Sequence, residues 1–286
     1  MPLTHQANQK VAIVTGASSG IGLLTSVELA RNGFQVVATM RTPAKRTKLD
    51  EAAAYAHVSQ NIDVRGLDVT EFSTHANFVA DVISSYGRID VLVNNAGFAL
   101  AGFAEDCTLD ELRDQFETNF FGAVSVTKAV LPVMRKQNRG HIIQISSIAG
   151  RCAHPVLSSY AGSKFALEGW SESLRLEMKP LGINVVLIEP GSFQTDIWEA
   201  NAHVAKRVFD PDSPNHERSL RFRDYVRRNI TKRDPAIVAK AIASVALNEN
   251  PRMRYLVGPD AKMMTWLTRL VPWSRYERTV AKTVGL

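Results

Sequence analysis

The chain has 286 residues, 45% hydrophobic and 22% charged, an ordinary globular composition long enough for one large domain with a sizeable core. The net charge of +6 is uneven: residues 201–286 hold 17 of the 34 Lys and Arg, a net of +9, which leaves about −3 for the first 200 residues. No apolar run reaches the roughly 18 residues of a membrane span, and the cations are interspersed with apolar and acidic residues without a nucleic-acid module, so the excess reads as a solvated basic face, with a phosphate-bearing ligand or a membrane surface as minor readings.

The first ten residues, MPLTHQANQK, hold no apolar run, so no signal peptide is expected. After them, strands and amphipathic helices alternate. VAIVTGA (11–17) predicts a strand, and GLLTSVELARNG (22–33) a helix that stops at Gly33. FQVVATM (34–40) predicts a strand, 44–56 a helix, IDVRGLDV (62–69) a strand and 71–86 a helix. IDVLVNNAG (89–97) is a strand ending in a loop. Residues 108–137 predict two successive helices, GHIIQISS (140–147) a strand, 158–179 a helix and INVVLIEPG (183–191) a strand. PAIVAKAIASVAL (235–247) and RYLVG (254–258) predict a last helix and strand. Continuous apolar strands between helices imply an α/β chain with a doubly wound parallel sheet of about seven strands, covered on both faces, with ligands at the carboxyl ends of the strands.

The pattern breaks over 192–233. That stretch is charged, yet it carries Phe193, Ile197, Trp198, Val204, Phe209, Phe222 and Tyr225. We read it as a partly helical substrate lid. In the tail, Met263, Met264, Trp266, Leu267, Leu270 and Val271 recur at helical spacing until Pro272. Packing over the pocket is the first reading of that face, then subunit contact, then docking on a membrane surface. Cys107 and Cys152 suit neither a metal site nor a disulfide framework, and no His/Cys cluster suggests a metal, so a reduced, cytoplasmic setting is expected.

Two short motifs carry the chemistry. TGASSGIG (15–22) links the first strand to the first helix. Its glycines, Gly16, Gly20 and Gly22, allow a tight turn and a close backbone approach, while the helix N-terminus offers N–H groups to a pyrophosphate. In YAGSK (160–164), Tyr160 and Lys164 are four residues apart, so on a helix the phenol and the ammonium share a face. A nearby cation favours the phenolate, which readies Tyr160 for proton transfer.

Together with NNAG (94–97), Asn119 in ETNFFG, Ser147 in ISS and PGSFQT (190–195), these motifs resemble the short-chain dehydrogenase/reductase family over about residues 8–200. The helix after Tyr160 and the RYLVGPDAK segment are similar to its hydroxysteroid and retinol dehydrogenase-like branch. The resemblance implies a single Rossmann-like domain over 1–286, with a core at 8–200, a lid at 192–233 and a C-terminal helix, strand and tail at 234–286. It implies Tyr160 as general acid or base, Lys164 as its electrostatic partner and ribose ligand, Ser147 as donor to the substrate oxygen, and Asn119 as support for a water relay. Ser146 is then a cofactor-side or structural residue, while His154 and Cys152 stay outside the catalytic set.

The same resemblance places Gly16, Ser18, Ser19, Gly20, Ile21, Gly22, Asp68, Val69, Asn95, Ala96, Gly97, Pro190, Gly191 and Thr195, with Tyr160 and Lys164, along the cofactor. An NAD site carries an acid at the end of the second strand. Here Met40 stands in that place and Arg41 follows, which suits a 2′-phosphate, so NADP(H) is expected over NAD(H). Against this, Ser19 stands where many NADP-using relatives carry a basic residue. Phe98, Leu100, His154, Val156, Phe193 and Trp198 are expected to wall an apolar pocket for a hydrophobic ketone, aldehyde or secondary alcohol. A homodimer or homotetramer built through helices 108–137 and 158–179 is also implied. Alternatives are an NADP(H)-sensing binding protein and an isomerase or dehydratase on the same scaffold.

Overall fold

The computed structural model describes residues 9–195, 202–229 and 233–284. Its strands are β1 (Val11–Val14), β2 (Gln35–Met40), β3 (Ile62–Gly66), β4 (Val91–Asn94), β5 (Ala99–Ala101), β6 (Gly140–Ile145), β7 (Ile183–Pro190), β8 (Ala202–Val204) and β9 (Arg254–Val257). The helices are α1 (Gly20–Arg31), α2 (Thr47–Tyr55), α3 (His75–Tyr86), α4 (Leu109–Phe116), α5 (Ala123–Gln137), α6 (Ser158–Met178), α7 (His216–Asn229), α8 (Ala236–Leu247), α9 (Pro259–Leu270) and α10 (Trp273–Val284).

Seven strands form one parallel sheet in the order β3-β2-β1-β4-β6-β7-β9. The chain winds outward from β1 in one direction, then returns to β4 and winds in the other. That reversal opens a crevice at the carboxyl ends of β1 and β4. Side-chain alternation explains the two faces. On β1, Ala12 and Val14 join Leu29 of α1, Leu49 of α2 and Ile242 of α8, while Val11 and Ile13 join Phe78 of α3, Val130 of α5 and Leu174 of α6. All four β1 side chains are fully buried, each valine or isoleucine worth roughly 1.5–3 kcal/mol.

Several expected boundaries move for local reasons. The strand expected over 62–69 ends at Gly66, because the Asp68 carboxylate accepts from the N–H and the hydroxyl of Thr70 and turns the chain. Single turns of tighter helix at Pro43–Lys45 and Phe72–Thr74 precede α2 and α3, which therefore start at Thr47 and His75. No loop separates the two helices expected over 108–137. Glu117–Gly122 forms a π-helical turn that joins α4 to α5.

Two features lie outside the sequence reading. β5 pairs in parallel with β8, so the 202–209 segment is pinned over the loop that follows β4. The tail also packs differently from the first expectation. α9 buries Ala261 and Thr265, whereas Met263, Trp266, Leu270 and Trp273 are exposed. Met264, Leu267 and Val271 of the stripe are half-buried and its remaining members point outward, because the small Ala261 and Thr265 are what fit against β9 and the turn at Ile148–Gly150. Among the described residues no helix is long and apolar enough to cross a membrane.

Candidate active site

A cleft opens at the carboxyl ends of the central strands. Every residue named from the sequence for catalysis or cofactor binding lines it, except Gly22 and Asn119. Of the expected wall, Phe98 and Phe193 line the cleft. Leu100 instead packs with Ala205 and Val208, Val156 is buried, and neither they nor His154 line it. Trp198, like Ile197, lies outside the described residues.

The glycine loop fits a phosphate-bearing group. Gly16 and Gly20 have φ of +68° and +54°, where glycine is favoured. A side chain at Gly22 would collide with the Gly16 carbonyl oxygen and the Asn95 amide, so Gly22 shapes the loop from behind. Asn95 Nδ2 donates to the carbonyls of Thr15 and Gly16, at 2.9 and 3.1 Å, and Thr15 Oγ1 accepts from the N–H groups of Asn95 and Ala96. These bonds brace the loop against the end of β4. Ser19 precedes α1 without a side-chain cap, so the first N–H groups of α1 face the cleft. Met40 and Arg41 line the far end of the same cleft, Arg41 exposed and without a carboxylate partner among the described residues.

α6 holds Tyr160 and Lys164 one turn apart, both buried. The Lys164 ammonium lies 5.7 Å from the centre of the phenol ring, and Nζ donates to the Ile145 carbonyl at 2.8 Å. Burial pushes the Tyr160 phenol up, and a hydrogen bond with Ser147 pulls it back. Lys164 is pushed down to about 8 by burial and raised in turn by Glu168. The Ser147 hydroxyl oxygen accepts from Ala149 N at 3.1 Å, so its proton remains available to donate. Val156, between Ser147 and Tyr160, has φ of +67°, a strained value for a β-branched residue; its carbonyl accepts from Gly102 N.

Asn119 sits in the π-helical turn and is buried. Its Oδ1 accepts from Phe98 N at 3.1 Å. Its Nδ2 donates to the Phe98 carbonyl at 3.0 Å and to Ser163 Oγ at 3.3 Å. It therefore clamps the segment after β4 to α6, next to Lys164.

A family model described as short chain dehydrogenase matches residues 10–205, more than half of the chain. The chain belongs to the short-chain dehydrogenase family. The chain is 45% identical over 277 residues to the uncharacterized oxidoreductase YusZ of Bacillus subtilis, covering 96% of this chain and 98% of that one. It is 38% identical to a 3-ketodihydrosphingosine reductase of Bacteroides thetaiotaomicron, over 90% of this chain and 93% of the other. Human retinol dehydrogenase 8 is 37% identical, over 87% and 81%. Among solved structures, a short-chain dehydrogenase from Streptomyces avermitilis superposes with a TM-score of 0.80 at 34% identity, covering 97% and 98%. A metagenomic short-chain oxidoreductase in complex with NADP gives 0.69 at 25%, over 88% and 98%.

The short-chain dehydrogenase cleft also has walls that the sequence reading missed. His203 of β8 stacks on Phe98, with ring centres 4.4 Å apart, and both line the cleft. Thr118 and Leu67 line it as well. Nothing local marks these positions. His203 reaches the site only because β8 pairs with β5.

Proposed function

We propose that the chain is an NADP(H)-dependent oxidoreductase that interconverts a hydrophobic ketone or aldehyde and the corresponding alcohol, with Tyr160 as general acid or base. The observation that carries this reading is the convergence of Ser147, Tyr160 and Lys164 on one cleft whose other end holds the glycine loop and Arg41. The glycine loop and the α1 N-terminus would hold the pyrophosphate, and Arg41 the 2′-phosphate. When bound, the nicotinamide supplies or accepts the hydride.

The residues of the chain do the rest. The Ser147 hydroxyl orients the substrate oxygen beside the phenol. Tyr160 gives its proton to that oxygen in reduction and takes it in oxidation. The Lys164 ammonium stabilises the phenolate that reduction leaves behind. Asn119 holds the backbone beside Lys164, which keeps this geometry in register. The NADP complex of a 25% identical relative supports the cofactor. Relatives named for 3-ketodihydrosphingosine and retinol, together with Phe98 and Phe193 in the cleft, support an apolar substrate.

On the same reading, the described parts of 192–233 belong to a substrate lid on a single Rossmann-like domain, with β8 as its inner edge; 196–201 and 230–232 lie outside the described residues. The setting is cytoplasmic, in keeping with two free thiols, Cys107 and Cys152. The chain forms a homo-oligomer through α4–α6, where Phe121 and Phe165 are 45% and 46% exposed.

The test is NADPH and NADH oxidation with apolar ketones and aldehydes, run beside Tyr160→Phe. Turnover with NADPH should fall by about 100- to 10,000-fold in the variant while NADPH still binds. Tight NADPH binding without turnover of any compound would favour a cofactor sensor. Product formation without net cofactor oxidation would favour an isomerase.

A further inference from the structure

Behind the proton-transfer pair lies a set of buried charges that the proposed chemistry does not use. Tyr160, Lys164 and Glu168 follow one another at four-residue spacing on α6 and share a face. Glu168 is 5% exposed. Arg254 reaches it from β9, the outermost strand of the sheet. One guanidinium nitrogen bonds both Glu168 and, at 2.5 Å, Glu189 of β7; the other bonds Glu172 of α6. Glu189 is fully buried, and Arg151, from the turn after β6, approaches it at 3.5 Å. Glu168 and Glu189 are therefore buried against Arg254 and Arg151, Glu172 closes the set from the exposed side, and Glu168 is the member that also acts on Lys164.

The balance matters most for Lys164. Burial disfavours its charge, and Glu168 is the group that opposes burial. Glu168 is itself pushed up to about 7 by burial and by Glu189, while Arg254 holds it down. An ion pair that served only to fasten β9 to α6 would need no place on the α6 face that carries Tyr160 and Lys164.

We propose that Glu168, held in place by Arg254, is a positioning residue that keeps Lys164 charged and so sets the pH at which the Tyr160–Lys164 pair gives up its proton. The inference rests on the reading of Tyr160 and Lys164 as that pair. Removing the negative charge makes deprotonation easier for both members, so the sign does not depend on which of them titrates first. Reduction, which needs the proton on the pair, should lose activity at lower pH. Oxidation should extend to lower pH.

The experiment follows the Lys164 titration directly, in full-length protein isotope-labelled at lysine Cε, with the Lys164 signal identified by its loss in Lys164→Met. In Glu168→Gln the midpoint should fall by about one pH unit, the low end of the effect of a close opposite charge. Glu168→Asp should stay near wild type. Glu168→Met, which removes the charge without burying an amide, should match Gln and serves if Gln folds poorly. The alkaline limb of kcat/KM with NADPH and retinal should move in the same direction. An unchanged Lys164 midpoint in both Gln and Met overturns the proposal, and so does a pH-independent loss of kcat/KM over an unmoved titration. Wild-type activity in Tyr160→Phe would instead sink the underlying reading, whatever the lysine does.

Discussion

Arg41 is the side chain on which the proposed preference for NADP(H) turns. The residue before it, Met40, is buried and apolar, so the position where an acid would hold ribose hydroxyls cannot do so. Arg41 is exposed at the rim of the cleft, and no carboxylate among the described residues competes for it. On the proposed reading, its charge-assisted bonds to a 2′-phosphate would be worth about 1.5–3 kcal/mol. Arg41→Ala should therefore raise the KM for NADPH by about 10- to 100-fold and leave that for NADH nearly unchanged. Steady-state kinetics with both cofactors checks this, and an equal effect on both would place the 2′-phosphate elsewhere. That Arg41, Tyr160 and Lys164 line one cleft was legible from the sequence because their signals are local: a strand end and a four-residue helical spacing.

At the scale of elements, the site depends on ties that no single motif encodes. Thr108 begins α4 with a reciprocal cap: its hydroxyl accepts from Glu111 N, and Glu111 accepts from Thr108 N at 2.9 Å. The other Glu111 oxygen accepts from Lys206 N at 3.0 Å. These bonds hold the Glu111 carboxyl below its ordinary range against the opposing effect of burial. One carboxylate thus starts a helix and anchors the segment that carries His203. Glu111→Ala should cost about 1 kcal/mol of stability, read by urea unfolding. It should also raise amide exchange at 202–209 more than in the sheet; protection unchanged there would show that β5–β8 pairing alone holds the segment. The π-helical turn belongs to this scale too. The apolar periodicity of 108–137 reads as helix throughout, and the extra residue in one turn changes where Asn119 points without changing that pattern.

For the whole molecule, the buried charges make stability depend on pH in two windows. The Glu168 carboxyl, raised from 4.5 to about 7, keeps its proton in the native state where the unfolded chain has released it. The native state binds more protons there, so this group's contribution falls as pH rises from about 4.5 to 7. Lys164, lowered from 10.5 to about 8, has lost a proton that the unfolded chain retains, so its contribution rises between about 8 and 10.5. Urea unfolding of wild type and Glu168→Gln across pH should show wild type losing ground to the variant between about 4.5 and 7. Parallel curves through that window would mean that the carboxyl is charged throughout.

The sequence by itself determined the seven strands, the doubly wound parallel sheet, the glycine loop and the spacing of Tyr160 and Lys164. Each is written in neighbouring residues: continuous apolar runs for strands buried on both faces, and a fixed helical period for the pair. Tertiary structure alone decided which distant groups meet. Arg254 and Glu168 are 86 residues apart and touch only because β9 completes the edge of the sheet beside α6. His203 enters the cleft only through the pairing of β8 with β5. The tail pattern predicted a helix but not which side would pack. Small Ala261 and Thr265 fit the surface left by β9 and the turn after β6, and the larger Trp266 and Leu270 remained outside. Local periodicity sets element type, whereas shape and charge complementarity between remote elements set the environment in which a side chain reacts.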